Sequence, residues 1–85
     1  MENLPSLADI APGETAGVEE LRADASFSRR LTDLGFARGE IVRCLMRSAA
    51  GDPTAYGIRG TVVALRKLDA SKILVRPKKE AGPWD

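Results

Sequence analysis

The stretch that decides the fold runs Ile41-Val42-Arg43-Cys44-Leu45-Met46-Arg47, then Ser48-Ala49-Ala50-Gly51-Asp52-Pro53, then Thr54-Ala55-Tyr56-Gly57-Ile58, Arg59-Gly60 and Thr61-Val62-Val63-Ala64-Leu65. Each apolar run is short and bounded by Gly, Pro, Asp or Ser, which reads as strand rather than helix. Ile41 to Arg47 opens with a β-branched pair and, after Arg43, is apolar at Cys44, Leu45 and Met46. Ser48 to Pro53 is a loop of small and turn-forming residues. Thr54 to Ile58 is a short strand, and Gly57 inside it implies a bulge or a close backbone approach. Gly60 permits a tight reversal into Thr61 to Leu65.

Toward the C-terminus, Arg66 to Lys72 fits either a loop or a single helical turn. Ile73 to Arg76 reads as the last strand, ended by Pro77, which leaves a polar tail around the isolated Trp84 that is expected to be mobile. Toward the N-terminus, Asp24 to Leu34 is the clearest helix. Asp24 or Ser26 can cap its first free N–H groups. Phe27, Leu31 and Leu34 share one face, and Gly35 suits the left-handed position that stops a helix. Arg38-Gly39 is the next turn. Thr15 to Leu21 is a strand of imperfect alternation, and Ala11-Pro12-Gly13-Glu14 is a turn. Leu4, Leu7 and Ile10 recur every three residues, which suggests a lead-in strap with one short turn.

The order is therefore strand, helix, then four short strands. Such strands cannot bury one face alone; they pack on each other or curl into a barrel. The expectation is a mostly β fold, with one domain over residues 1–77 and a flexible tail over 78–85.

At 85 residues the chain holds one thin core, with no room for a large enclosed cavity. Any ligand is therefore expected on the surface. Aromatics are few, so Leu, Val, Ile and Ala must form the core. The single Cys44 cannot form an intrachain disulfide, and in an apolar strand it reads as a buried thiol. No charge-free run is long enough to span a bilayer, and the N-terminus lacks the basic and apolar pattern of a signal peptide. Cytoplasmic residence is the expectation. The net charge of +1 hides an uneven distribution. Residues 1–26 carry six acids against one arginine, whereas residues 27–79 carry twelve basic residues against four acids. An acidic partner or nucleic acid would suit the basic part.

Absent residue types exclude most chemistry. Without histidine there is no Ser–His or Cys–His pair and no ordinary general base near neutral pH. One cysteine cannot build a zinc site, the carboxylates lack calcium-loop spacing, and no phosphate-binding Gly-rich loop ending in Lys-Ser or Lys-Thr is present. No catalytic residue, metal or cofactor is expected, and the chain is expected not to be an enzyme.

Leu7-Ala8-Asp9-Ile10-Ala11-Pro12-Gly13-Glu14, Arg30-Leu31-Thr32-Asp33-Leu34-Gly35-Phe36-Ala37-Arg38-Gly39, Gly51-Asp52-Pro53, Tyr56-Gly57-Ile58-Arg59-Gly60 and Ala64-Leu65-Arg66, in that order, resemble the ferrous-iron transport protein A (FeoA) family. The likeness runs from about Leu4 to Val75. One departure is Thr54, where the family commonly has a hydrophobic residue after the proline. The resemblance implies a small SH3-like β-barrel, like the C-terminal domain of iron-dependent repressors. It implies work beside the FeoB iron permease, whose cytoplasmic G-domain binds GTP, and a role in tuning that GTPase.

The residues expected to meet the partner are Leu34, Gly35, Phe36, Arg38, Gly51, Asp52, Pro53 and Arg59. Most also have a structural reading: Leu34 and Phe36 as shared core, Gly35 as a helix stop. Arg38 and Arg59 are further candidates for an arginine finger toward a bound nucleotide. A weak homo-oligomer is feasible through exposed edge strands. A competing reading is an SH3-like nucleic-acid binder, disfavoured by scarce aromatics and dispersed basic residues. A metal-regulator domain is weaker still, for want of ligands.

Overall fold

Asp24 and Gly35 set the ends of the main helix in the computed structural model, which describes residues 3–78. The Asp24 carboxylate accepts the Phe27 N–H at 2.8 Å and caps α1 (Ala25–Leu34). At the other end Gly35 lies at φ 115°, and the Phe36 N–H donates to the Leu31 carbonyl at 2.9 Å. This is the six-to-one bond of a Schellman stop, and only glycine enters that backbone region without strain. Leu31 is buried and Phe27 half-buried, as their shared face requires. Leu34 departs from that pattern at 47% exposed. The reversal at Gly35 sends Phe36 into the core, and Leu34 is left outside as the helix ends.

Five antiparallel strands follow the expected order: β1 (Thr15–Leu21), β2 (Ile41–Arg47), β3 (Thr54–Ile58), β4 (Thr61–Leu65) and β5 (Ile73–Lys78). They lie as β4-β3-β2-β1-β5 in one sheet. The segment after β4 is helical: α2 (Lys67–Ala70) is a single turn. Pro77 does not end the last strand as expected. It pairs with Ala16 inside β5, where an edge strand tolerates the missing N–H. β5 thus runs one residue past Pro77, to Lys78. Residues 79–85, including Trp84, lie outside the described residues.

Two bulges bend the sheet, between Val18 and Glu20 on β1 and between Cys44 and Met46 on β2. An extra residue in one strand shifts the alternation of side chains beyond it. Cys44 is fully buried, whereas Leu45 and Met46 both face outward. Leu45 lies over Gly57: a Cβ there would meet both Leu45 methyl carbons at 3.5 Å, an ordinary van der Waals contact. Gly57 itself is neither bulged nor closely approached by backbone; the bulge lies opposite, on β2.

The core joins Leu31 and Phe36 to inward residues of the strands, among them Val42, Tyr56, Ile73 and Val75. The lead-in strap adds Leu7 and Ile10, at 0% and 4% exposure. A 3-10 turn, Leu7–Asp9, orients it. The Ser6 side chain accepts from Ala8 N, and the Asp9 carboxylate accepts from Ser6 N at 2.9 Å. The strap is held beside β5 by the Val75 N–H, which donates to the Pro5 carbonyl at 3.0 Å, and by a bridge between Ser6 and Leu74.

Candidate partner-docking site

The eight expected docking residues divide between the two ends of β3. At its C-terminal end, α1 and the β3–β4 turn meet: Gly35 lies against Ile58, whose side chain would stand 3.5 Å from a Cβ at Gly35. Gly35 and Phe36 are buried and shape this corner without offering side-chain surface. The chain then turns through Gly39, whose N–H donates to the Val18 carbonyl at 2.8 Å. Glu40 reaches Arg59 at 3.6 Å. Arg59 is exposed and takes φ 52°, an uncommon backbone region for a side chain this bulky. With Ile41 and Gly60 it borders a shallow depression.

Arg38 is also exposed but faces a different groove, shared with Leu4, Glu19, Glu20 and Thr32. Both carboxylates there have other arginines: Glu19 binds Arg76 at 3.1 Å and Glu20 binds Arg22 at 3.2 Å. Leu34 adds exposed apolar surface at the helix end.

Gly51, Asp52 and Pro53 lie at the opposite end of β3, five residues away or roughly 17 Å. Their loop is closed by the Ser48 N–H donating to Pro53 O at 3.0 Å and the Gly51 N–H donating to Ser48 O at 2.8 Å. The Asp52 carboxylate accepts the Lys67 N–H at 2.8 Å. It thereby caps α2, whose own N-cap residue Arg66 makes no side-chain cap bond. A small cavity of about 80 Å³ beside this loop is lined by Arg47, Thr54, Tyr56 and Lys67. Arg47 donates to the Ile10 carbonyl at 2.9 Å, and the Tyr56 hydroxyl donates to the Leu7 carbonyl at 3.3 Å. Burial pushes the Tyr56 hydroxyl and the Cys44 thiol above their ordinary pKa values, so both stay protonated at neutral pH.

The structure also exposes apolar residues that the sequence reading did not single out: Met46 at 61%, Val62 at 66% and Leu68 at 70%. Alternation in Thr61–Leu65 separates Val62 from Val63 but does not say which faces inward. The outward turn of Met46 depends on the bulge. Among the described residues, no three His, Cys, Asp or Glu side chains converge to hold a metal ion. Among the same residues no helix is long and apolar enough to cross a membrane.

A curled five-stranded antiparallel sheet with short helices, and with accessible groups on loops and edges, defines a small SH3-like domain. The FeoA domain model matches residues 6–77, and the chain belongs to that family. A curated protein of Porphyromonas gingivalis, an Fe(2+) transport protein A/Fe(2+) transporter FeoB fusion, is 29% identical over 69 residues. The match covers 81% of this chain and 8% of the fusion protein's length. The solution structure of a FeoA-like protein from Clostridium acetobutylicum superposes with a TM-score of 0.83 at 27% identity, covering 95% of this chain and 94% of that one. The zinc complex of Stenotrophomonas maltophilia FeoA, described as a prokaryotic SH3 domain protein and put forward as a ferrous iron transport activating factor, gives 0.76 at 29% identity. That match covers 89% of this chain and 98% of the other.

Proposed function

We propose that this chain is an accessory protein of ferrous-iron uptake that binds the cytoplasmic GTPase part of a FeoB-type permease and regulates its GTP turnover. The observation that carries this reading is the Porphyromonas gingivalis fusion, in which a domain like this one shares a polypeptide with the transporter. Tethering fixes stoichiometry and raises effective concentration, which benefits two modules that touch. The chain acts as a surface and contributes no reaction of its own, in keeping with a composition that has no histidine. It works in the cytoplasm, held at the inner face of the membrane by its partner. The exposed surface at the end of α1 and the β3–β4 turn, with Leu34 and Arg59, is the face offered to the G-domain, with Arg38 on the neighbouring groove, and one of the two arginines serves as the group that meets a phosphoryl oxygen.

The test is a titration of the isotope-labelled full chain with the isolated cytoplasmic part of the permease, with and without a GTP analogue. Resonances of the α1 end and the β3–β4 turn are expected to shift. No shift in any state overturns the reading. GTP turnover measured with the wild type and with Arg38→Ala and Arg59→Ala decides the finger role: one variant is expected to lose the stimulation, and equal rates dismiss it.

A further inference from the structure

β4 lies at the edge of the sheet. It follows β3 through a two-residue turn in which Arg59 and Gly60 both have positive φ, 52° and 77°, the backbone of a type I′ hairpin. Such a turn makes Ile58 and Thr61 a hydrogen-bonded pair, and by alternation Tyr56–Val63 and Thr54–Leu65 as well. Val62 and Ala64 therefore aim their N–H and C=O groups away from β3. Among the described residues no further strand receives them. Their side chains stand on the outer face. Val62 pairs with Gly57, over which Leu45 packs, so apolar surface continues from the edge across to β2.

A bare edge with apolar flanks invites other strands, and proteins guard such edges with charge. Along the sequence the charge here has one sign, the nearby acids in space being Glu40 beside Arg59 and Asp52 at the Lys67 amide. No acid occurs between Pro53 and Leu68; Arg59 precedes β4, and Arg66 and Lys67 follow it. A second copy pairing edge to edge about a two-fold axis would set Arg59 of each chain toward Arg66 of the other, an arrangement of opposed like charges. The complementary occupant is acidic.

We propose that the outer edge of β4 receives an extended segment of a partner protein as a sixth strand, with an apolar centre and acidic ends. Main-chain bonds go to Val62 and Ala64, as in strand addition generally. The apolar centre covers Val62, and the carboxylates meet Arg66, Lys67 and Arg59. The present contact of Arg59 with Glu40 joins an exposed arginine to a half-buried glutamate at 3.6 Å and is readily exchanged. For the partner's identity this rests on the proposed function; the edge itself does not.

The probe is the synthetic peptide acetyl-Glu-Glu-Val-Thr-Val-Glu-Glu-amide, titrated into the isotope-labelled full chain. The Val62 and Ala64 amides are expected to shift and to gain protection from hydrogen exchange, and binding is expected to weaken with salt. Val62→Pro removes an outward N–H at an edge position where proline is tolerated. It is expected to keep a folded spectrum and to bind at least about tenfold more weakly. Arg66→Glu leaves the backbone edge intact and is expected to weaken binding as well, so the test survives if the proline variant misfolds. The same peptide with Lys in place of Glu is expected not to bind. The proposal is overturned if the Val62 and Ala64 amides do not respond, or if both variants bind like the wild type. It is also overturned if sedimentation reveals a dimer that Arg66→Glu or Val62→Pro dissolves, since the occupant is then a second copy. The peptide contains nothing of a permease, so its failure leaves the permease titration standing, and the reverse holds too.

Discussion

Cys44 sits at 0% exposure on β2, and its thiol is pushed above the usual cysteine range, chiefly by burial. That shift is a statement about stability. In the unfolded chain a cysteine ionises near pH 8.5. Well below that value both states hold the proton, and the thiol has no effect on the pH dependence. Above it the unfolded chain loses the proton first, so folding stability falls as pH rises until the folded thiol ionises as well. The expected result is a urea midpoint that declines from pH 7 to pH 9.5 more steeply in the wild type than in Cys44→Val, which has nothing to titrate at that position. Tyr56 shifts in the same direction, chiefly by burial, but from a higher starting value, near pH 10, and it is present in both proteins, so the difference in slope reports mainly the thiol. Equal slopes refute the account.

Between residues and elements, the sequence was legible wherever local chemistry decides. Asp24 and Gly35 bracket α1 because capping and left-handed backbone depend on the residues themselves. Gly60 marks the β3–β4 reversal for the same reason. Legibility failed where tertiary placement decides. Leu34 continues the apolar face of the helix yet emerges at its end, because the chain reverses and Phe36 enters the core. Met46 belongs to an apolar run yet faces outward, because a bulge precedes it. Pro77 ends a strand only if that strand is central, and β5 is not. Among the docking candidates, Gly51 to Pro53 and Arg59 stand close in sequence yet occupy opposite ends of β3, because an extended five-residue strand separates them. Asp52 turned out to join two elements, the β2–β3 loop and α2, through one hydrogen bond. Its replacement by Ala removes a cap from a helix of one turn. The expected loss is about 0.5–1 kcal/mol, measured by urea unfolding, with Asp52→Asn retaining most of it. A docking role without the cap would leave stability unchanged.

At the scale of the whole molecule, stability depends on parts distant in sequence. The lead-in strap contributes Leu7 and Ile10 to a core otherwise built from α1, the strands and the segments joining them. It is anchored on β5, the last strand, while β5 pairs in turn with β1. A small domain with one core cluster tolerates few losses, since total stabilities lie near 5–15 kcal/mol and a buried Leu→Ala costs about 2–5 kcal/mol. The charge division has a structural counterpart here: acids Glu19 and Glu20 from the N-terminal part are matched with Arg76 and Arg22, whereas the β3–β4 hairpin has no acid of its own.

The contact between Pro5 and Val75 brings the first and last segments of the fold side by side. The polypeptide is in effect a nearly closed loop, and its topology is indifferent to where that loop is cut. A circular permutant that links the two segments through a short Gly-Ser spacer and opens between Arg59 and Gly60 is expected to recover the native amide spectrum apart from residues near the new ends. Collapse of that spectrum would mean that the hairpin, rather than the strap, closes the ring.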